Sequence, residues 1–347
     1  MLATRIDTVS NEGLTWINIE KPTREILEKM LVRSGYHFHE LDIEDCLSKI
    51  QIPKIDKHAE YIFSVLHFPS SPILDTPNSV KKKARKGSVS TLHFSQLSLF
   101  AGWNFLVTVH QGELQPLNEL FQQCKQGDKS QKEELMGKTS GNLVHTIIDV
   151  LVDDLFHILM KIVGNLQDIE DAVFDDKVDV VKEISLLRRE ITILRRIVFP
   201  LRRIVSQIAR DIQKFSEGNL TEYFNDVEDH IDKVLEVLES SKETIEIYKD
   251  TDFMLSTEKT NQILAILTIV FTLSIPATVI GTFYGMNINL PGGLETGSWN
   301  FLGKYTTLDI ILIISAVSVF LMYWHFRRVG WVTTSRRNRT RNLNFRV

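Results

Sequence analysis

The chain has 347 residues, 43% hydrophobic and 24% charged, with a formal net charge of −4. That average is ordinary for a soluble protein and leaves room for two domains. With Cys46 and Cys124 as its only cysteines, the chain has no disulfide framework and suits a reducing compartment.

The first residues, MLATRIDTVSNEGLTW, lack the apolar core of a secretion signal. REILEKMLVRSG and HELDIEDCLSKI carry helical spacing, whereas YIFSVLHF (61–68), STLHFSQLSLF (90–100) and WNFLVTVH (103–110) are β-rich runs that predict strands of one sheet. Between the first two runs, SSPILDTPNSVKKKARKGS predicts a long solvated loop. Residues 1–135 therefore predict an α/β domain.

From residue 136 to 260 the pattern is helical. NLVHTIIDVLVDDLFHILMKIVGNLQDIEDAVF repeats apolar residues at three and four, and VVKEISLLRREITILRRIVFPLRRIVSQIARDI does the same with an Arg-rich opposite face. Pro200 predicts a bend or break in the second. The third segment starts near Thr221 and meets no helix breaker before Pro276, so one helix is expected to join the soluble part to the apolar C-terminal region. Glu236, Glu239, Glu243, Glu246 and Asp250 recur on one face of it. Such a stripe pairs with the arginines of the neighbouring helix or, on a sharper reading, gathers divalent cations; the spacing favours the first.

Residues 261–294 and 310–326 contain no Asp, Glu, Lys or Arg. Runs of that length match a bilayer core, which predicts a membrane hairpin over 261–326. Its parts are an inner helix over about 261–284, an external loop over 285–307 and an outer helix over 308–326. The tail at 327–347 carries seven arginines and no acid, while Lys304 is the only basic residue of the loop. Basic flanks stay inside, so both termini are expected in the cytoplasm, and the tail is expected on anionic lipid and not on nucleic acid. Thr260, Leu264, Leu267, Phe271, Ile275, Thr278 and Thr282 share one face of the inner helix. Two helices cannot enclose a water-filled path, so a pore on that face requires several copies. Alternatively, hydroxyls such as Thr268, Thr272, Ser274 and Thr278 only bond to carbonyls one turn back.

TFYGMN (282–287) contains a Gly-Met-Asn triplet at the end of the first of two C-terminal apolar helices. Together with YFNDVEDHIDKV, LDIEDCLSKIQIPKIDKHAEYIFSVLHF and the basic tail, it makes nearly the whole chain resemble the CorA-type divalent-cation channels. The resemblance implies a homopentameric funnel in the plasma (inner) membrane: an α/β cytoplasmic domain, a long helical stalk and a two-helix hairpin. It implies a selectivity filter at Gly285, Met286 and Asn287, whose neutral amide oxygens suit hydrated Mg²⁺ and also Co²⁺ or Ni²⁺. The pore face would fall on Asn261, Leu264, Leu267, Phe271, Ile275 and Thr278, with Leu264 and Leu267 as an apolar constriction and Asp250 near the cytoplasmic mouth. A regulatory Mg²⁺ would be held by Glu44 and Asp45 of one subunit and Asp226 of the next.

An enzyme is disfavoured, because the chain has no Gly-rich phosphate loop, GxSxG or HExxH and its ten histidines are scattered. A zinc transporter of related architecture and a membrane-tethered sensor without transport remain as alternatives. Oxygen-only groups at the pore entrance argue against zinc, which favours nitrogen and sulfur.

Overall fold

The computed structural model describes residues 4–48, 51–70, 93–175, 180–286 and 305–329, with Pro291, Gly297 and Phe301 as isolated positions. The predicted solvated loop from Ser71 onward, Asn287, Lys304 and most of the basic tail lie outside the described residues; Ser70, the first residue of that predicted loop, ends a strand. The chain divides into two units, Met1–Asp252 and Phe253–Val347.

The first unit opens on a hairpin of β1 (Arg5–Asn11) and β2 (Leu14–Glu20). Glu12 and Gly13 form its turn with φ of 46° and 93°, the paired positive values a two-residue turn needs to follow the strand twist. Next come α1 (Arg24–Ser34), α2 (Glu40–Leu47), β3 (Lys54–Lys57), β4 (Tyr61–Ser70), β5 (His93–Gly102) and β6 (Phe105–His110). Among the described residues these strands make one sheet in the order β1-β2-β6-β5-β4-β3. All neighbours are antiparallel except β2 and β6, which pair in parallel from Thr15↔Phe105 to Glu20↔His110. The parallel pair requires a crossover, and α1, α2 and β3–β5 supply it.

β4, β5 and β6 are buried almost without interruption, which requires cover on both sheet faces. Over one face Tyr61, Phe63, Val65, Phe100, Val107 and Val109 pack with Leu27, Cys46, Phe38 and Ile43 of the α1–α2 side. Helices that follow the sheet cover the other: α3 (Gln115–Gln126), α4 (Lys129–Met136), α5 (Ser140–Val173) and α6 (Val181–Asp211). Within that side a polar network is enclosed. Trp16 Nε1 donates to Thr108 Oγ1 at 3.1 Å, Thr108 donates to Asn18 Oδ1 at 2.6 Å, and His110 Nε2 lies 3.0 Å from the same oxygen. Each buried polar group so paired avoids an uncompensated desolvation cost.

α5 begins at a Thr139 cap that accepts from Asn142 N–H, and Gly141 lets it approach the turn after α6, where a Cβ would fall 1.9 Å from Ser216 Oγ. Pro200 lies inside α6, which continues through it as one helix. After a short 3₁₀ turn at Ile212–Phe215, α7 runs from Thr221 to Gly285, again past a proline, Pro276.

Ile184, Leu187, Ile191, Leu194, Val198, Leu201, Val205 and Ile208 of α6 are buried, as are Phe224, Val227, Ile231, Val234, Leu238, Ser241 and Ile245 of α7. Both sets step alternately by three and four, the repeat of a coiled-coil seam. Beyond Ile245 no residue of α7 is buried. The second unit contains the rest of α7 and α8 (Thr306–Val329). Among the described residues these two helices are long and apolar enough to cross a membrane, with peak mean hydropathy of 2.5 and 2.0.

Candidate functional site

In the second unit the candidate pore residues Asn261, Leu264, Leu267, Phe271, Ile275 and Thr278 are helical and exposed. Their steps of three and four put them on one side of α7. Five hydroxyls on and beside this face are not free donors. Thr260 donates to the Ser256 carbonyl at 3.0 Å, Thr268 to Leu264 at 2.8 Å, Ser274 to Phe271 at 2.8 Å, Thr278 to Ser274 at 2.9 Å and Thr282 to Thr278 at 2.7 Å.

The expected bonding to carbonyls one turn back is therefore present at Thr268, Ser274 and Thr278. It has a chemical consequence. A hydroxyl whose proton is given to its own helix turns acceptor lone pairs outward. Thr260, Thr278 and Thr282 thus add cation-compatible oxygens to a face whose middle, from Leu264 to Ile275, is apolar.

Gly285 ends α7, and Met286 follows with its N–H bonded to the Phe283 carbonyl at 3.3 Å. Tyr284 donates its hydroxyl to the Pro291 carbonyl at 3.1 Å, which ties the helix end to the following segment. Asn287, the third filter candidate, lies just past the described residues.

In the first unit, α2 presents the candidate carboxylates Glu44 and Asp45. The helix is capped by His39, whose Nδ1 accepts from Leu41 N–H at 3.3 Å. It is held to the sheet by Asp42, 2% exposed, which accepts from Tyr61 Oη at 2.8 Å and lies 2.9 Å from His58 Nε2. Burial, with Asp42 adding to it, pushes the Tyr61 hydroxyl well above the usual tyrosine range. One turn on, burial pushes the Cys46 thiol up to about 12, as for an inert buried cysteine.

Glu44 is exposed. Asp45 is engaged: Lys54 Nζ lies 2.6 Å from its Oδ2, Gln51 Nε2 donates to its Oδ1, and Gln96 Nε2 donates to its backbone carbonyl at 3.0 Å. Lys54 also lies 2.6 Å from Asp56. Asp42, Asp45 and Asp56 bring oxygens within 4.8 Å of one another, a grouping that sequence reasoning missed because Asp56 comes from β3.

Asp226, near the start of α7, is 68% exposed with its Oδ2 3.9 Å from His230 Nε2. His230 groups with Asp149 and Asp153 of α5, their ligand atoms again within 4.8 Å of one another. Burial pushes the Asp149 carboxyl up, against the pull of His145, and Asp153 and Asp226 add to the rise. Spacing could have flagged this group, since Asp149 and Asp153, like Asp226 and His230, are four residues apart on facing helices. Glu44 and Asp226 fit a hydrated divalent cation as exposed oxygen ligands; Asp45 fits only if its hold on Lys54 loosens.

Two members of the acidic stripe of α7, with Asp232 before them, are bound to α6. Arg188 pairs with Glu246 at 2.7 Å and Arg195 with Glu239 at 2.9 Å; Arg202 makes a two-point contact with Asp232, its Nη2 at 2.8 Å. The arginines rise by seven along α6 as the acids fall by seven along α7, as antiparallel neighbours must. Pairing with the neighbouring helix is thus present at Glu239 and Glu246, while Asp250 is 75% exposed, 3.8 Å from Lys249.

Comparison with known proteins gives a consistent result. The family model described as CorA-like Mg²⁺ transporter protein matches residues 11–328. YfjQ of Bacillus subtilis is 27% identical over 94% of this chain and 93% of its own length. The cobalt/magnesium transport protein CorA of Thermotoga maritima is 25% identical over 92% of this chain and 83% of its own. The complete structure of the CorA magnesium transporter from Methanocaldococcus jannaschii superposes with a TM-score of 0.73 at 19% identity, covering 94% of both chains, which shows a shared fold. The α/β unit, the long helix and the two apolar helices are those of a transporter and not of an enzyme, and the chain belongs to the CorA family of divalent-cation transporters.

Proposed function

We propose that the chain conducts Mg²⁺, with Co²⁺ and Ni²⁺ as further candidates, into the cell across the plasma (inner) membrane as a homopentamer around one axial pore. The observation that carries this reading is the α7 face on which Leu264, Leu267, Phe271 and Ile275 are flanked by Thr260 on one side and Thr278 and Thr282 on the other, threonines whose protons are spent on their own helix. Such a face offers a cation oxygen acceptors without a fixed charge to trap it, and apolar rings that close by excluding water. It is exposed along its length, as a surface completed by other copies would be. Leu264 and Leu267 would form the apolar gate with Phe271, and Asn261 and Asp250 would face the cytoplasmic mouth.

Gly285, Met286 and Asn287 would form the outer filter. A ring of neutral amide oxygens can hydrogen-bond the water shell of Mg²⁺, which that ion surrenders reluctantly. The seven arginines from Arg327 onward favour cytoplasmic termini, with residues 1–135 and 136–260 as cytoplasmic domain and stalk and 261–326 in the bilayer. Glu44 and Asp45 of one subunit and Asp226 of the next would hold a regulatory cation, whose charge offsets carboxylate repulsion across the interface and so favours the closed pore.

The test is uptake into liposomes holding a Mg²⁺-sensitive dye under an inside-negative potential. Wild type should take up Mg²⁺ and Asn287→Ala should lose it. Zn²⁺ uptake alone would move the chain to a zinc transporter, and no flux of any ion would leave a membrane-tethered sensor.

A further inference from the structure

We propose that the Lys54 ammonium is a built-in competitor for the regulatory cation at Asp45, so that a lysine sets the Mg²⁺ concentration at which the subunit interface responds. This role rests on the regulatory reading of Glu44, Asp45 and Asp226 under Proposed function. The carboxylates of Asp42, Asp45 and Asp56 place their oxygens within 4.8 Å of one another. Three such groups at that separation need positive charge between them. Asp42 is already served by Tyr61 and His58. Asp45 and Asp56 share Lys54, whose Nζ is 2.6 Å from each.

The ammonium is well held. It also lies 5.7 Å from the centre of the Phe63 ring, a cation–π contact. Burial works against its charge, but the two carboxylates more than offset this and hold Lys54 above the usual lysine value. Gln51 occupies the other Asp45 oxygen.

A divalent cation at Glu44 and Asp226 gains Asp45 only by drawing it from Lys54. The gain of one carboxylate is then offset by the loss of an ion pair that is two-thirds shielded from water, Lys54 being 33% and Asp45 15% exposed. In wild type, Asp45 thus adds little to cation affinity; without the ammonium it adds in full. An ordinary ion pair that merely fastens α2 to β3 would show neither effect.

The experiment follows protection of the full-length protein from chymotrypsin as Mg²⁺ is titrated. Lys54→Met should lower the midpoint about tenfold, the effect of one neighbouring charge on a carboxylate, and Lys54→Arg should keep it. Asp45→Asn alone should barely move the midpoint, yet on the Lys54→Met background it should return the midpoint towards wild type. Asp56→Asn, which leaves Lys54 to Asp45 alone, should raise it and serves if Lys54→Met fails to fold. An unchanged midpoint in Lys54→Met, or in Asp56→Asn, overturns the proposal, as does a rise in Asp45→Asn as large as that in Asp226→Asn. If Glu44→Gln and Asp226→Asn leave wild-type protection intact, the regulatory reading itself fails.

Discussion

Charge reversal in the ladder between α6 and α7 tests whether the acidic stripe is structural. Arg195 and Glu239 meet at 2.9 Å with 42% and 40% of their side chains exposed. Water and salt therefore screen the pair, and it is worth about 0.2–1 kcal/mol. Arg188–Glu246, at 52% and 33%, and Arg202–Asp232, at 47% and 45%, fall in the same range. Together the three pairs contribute about 0.6–3 kcal/mol. Glu239→Lys faces Arg195 with a second cation and should cost about 1 kcal/mol. For a unit of this size that lowers the thermal midpoint by roughly 2–4 °C. Exchanging the two charges, Arg195→Glu with Glu239→Lys, should recover most of the loss. The assay is a double-mutant cycle on thermal unfolding at low and high salt, with and without Mg²⁺. The coupling should shrink with salt and ignore Mg²⁺. A coupling of zero at low salt, or one that appears only with Mg²⁺, would refute the structural role and restore cation gathering.

Leu238 is fully buried in the seam below that ladder, so Leu238→Ala should cost about 2–5 kcal/mol, more than any one of the ion pairs, read as a fall in the thermal midpoint. Asp42→Ala leaves the Tyr61 hydroxyl proton without its acceptor in the joint under α2 and should cost about 1–3 kcal/mol, and Tyr61→Phe removes one charged hydrogen bond and about 1.5–3 kcal/mol. His110 accepts from Gly112 N–H at 3.0 Å through Nδ1, and its burial lowers its pKa from 6.5 to about 4. The unfolded chain takes up this proton at the higher value and the fold resists it down to the lower. Stability therefore falls as pH drops through that window, by up to about 3 kcal/mol; His110→Gln should flatten the fall in thermal midpoint with pH. Thr278→Val keeps the shape of the proposed pore face but removes an acceptor, and should lower Mg²⁺ uptake into liposomes while leaving the thermal midpoint in place.

Legibility in the sequence was set by contrast. The membrane segments stand out because 34 and 17 consecutive residues without a charge, 261–294 and 310–326, have no common counterpart in soluble protein. The β4–β6 runs stand out because strands buried on both faces read as apolar blocks. The β1–β2 hairpin was harder, since RIDTVSN alternates weakly and its turn is the pair Glu12-Gly13 instead of Asn-Gly. Pro200 does not break its helix, for a physical reason: a helix held by a long buried seam can lose one hydrogen bond and continue.

The candidate site was legible in its residue types and not in its pairings. A row of glutamates on one helix face looks the same whether it meets arginines or ions, and only the antiparallel register of α6 against α7 assigns Glu239 to Arg195 and Glu246 to Arg188. Glu44 and Asp45 are adjacent in sequence, yet helical geometry turns one outward to solvent and the other inward to Lys54, so two carboxylates that read alike have different work open to them. Thr278 shows the converse. Its bond to Ser274 was expected as an alternative to a pore role, but a proton committed to the helix is what leaves its oxygen able to face a cation.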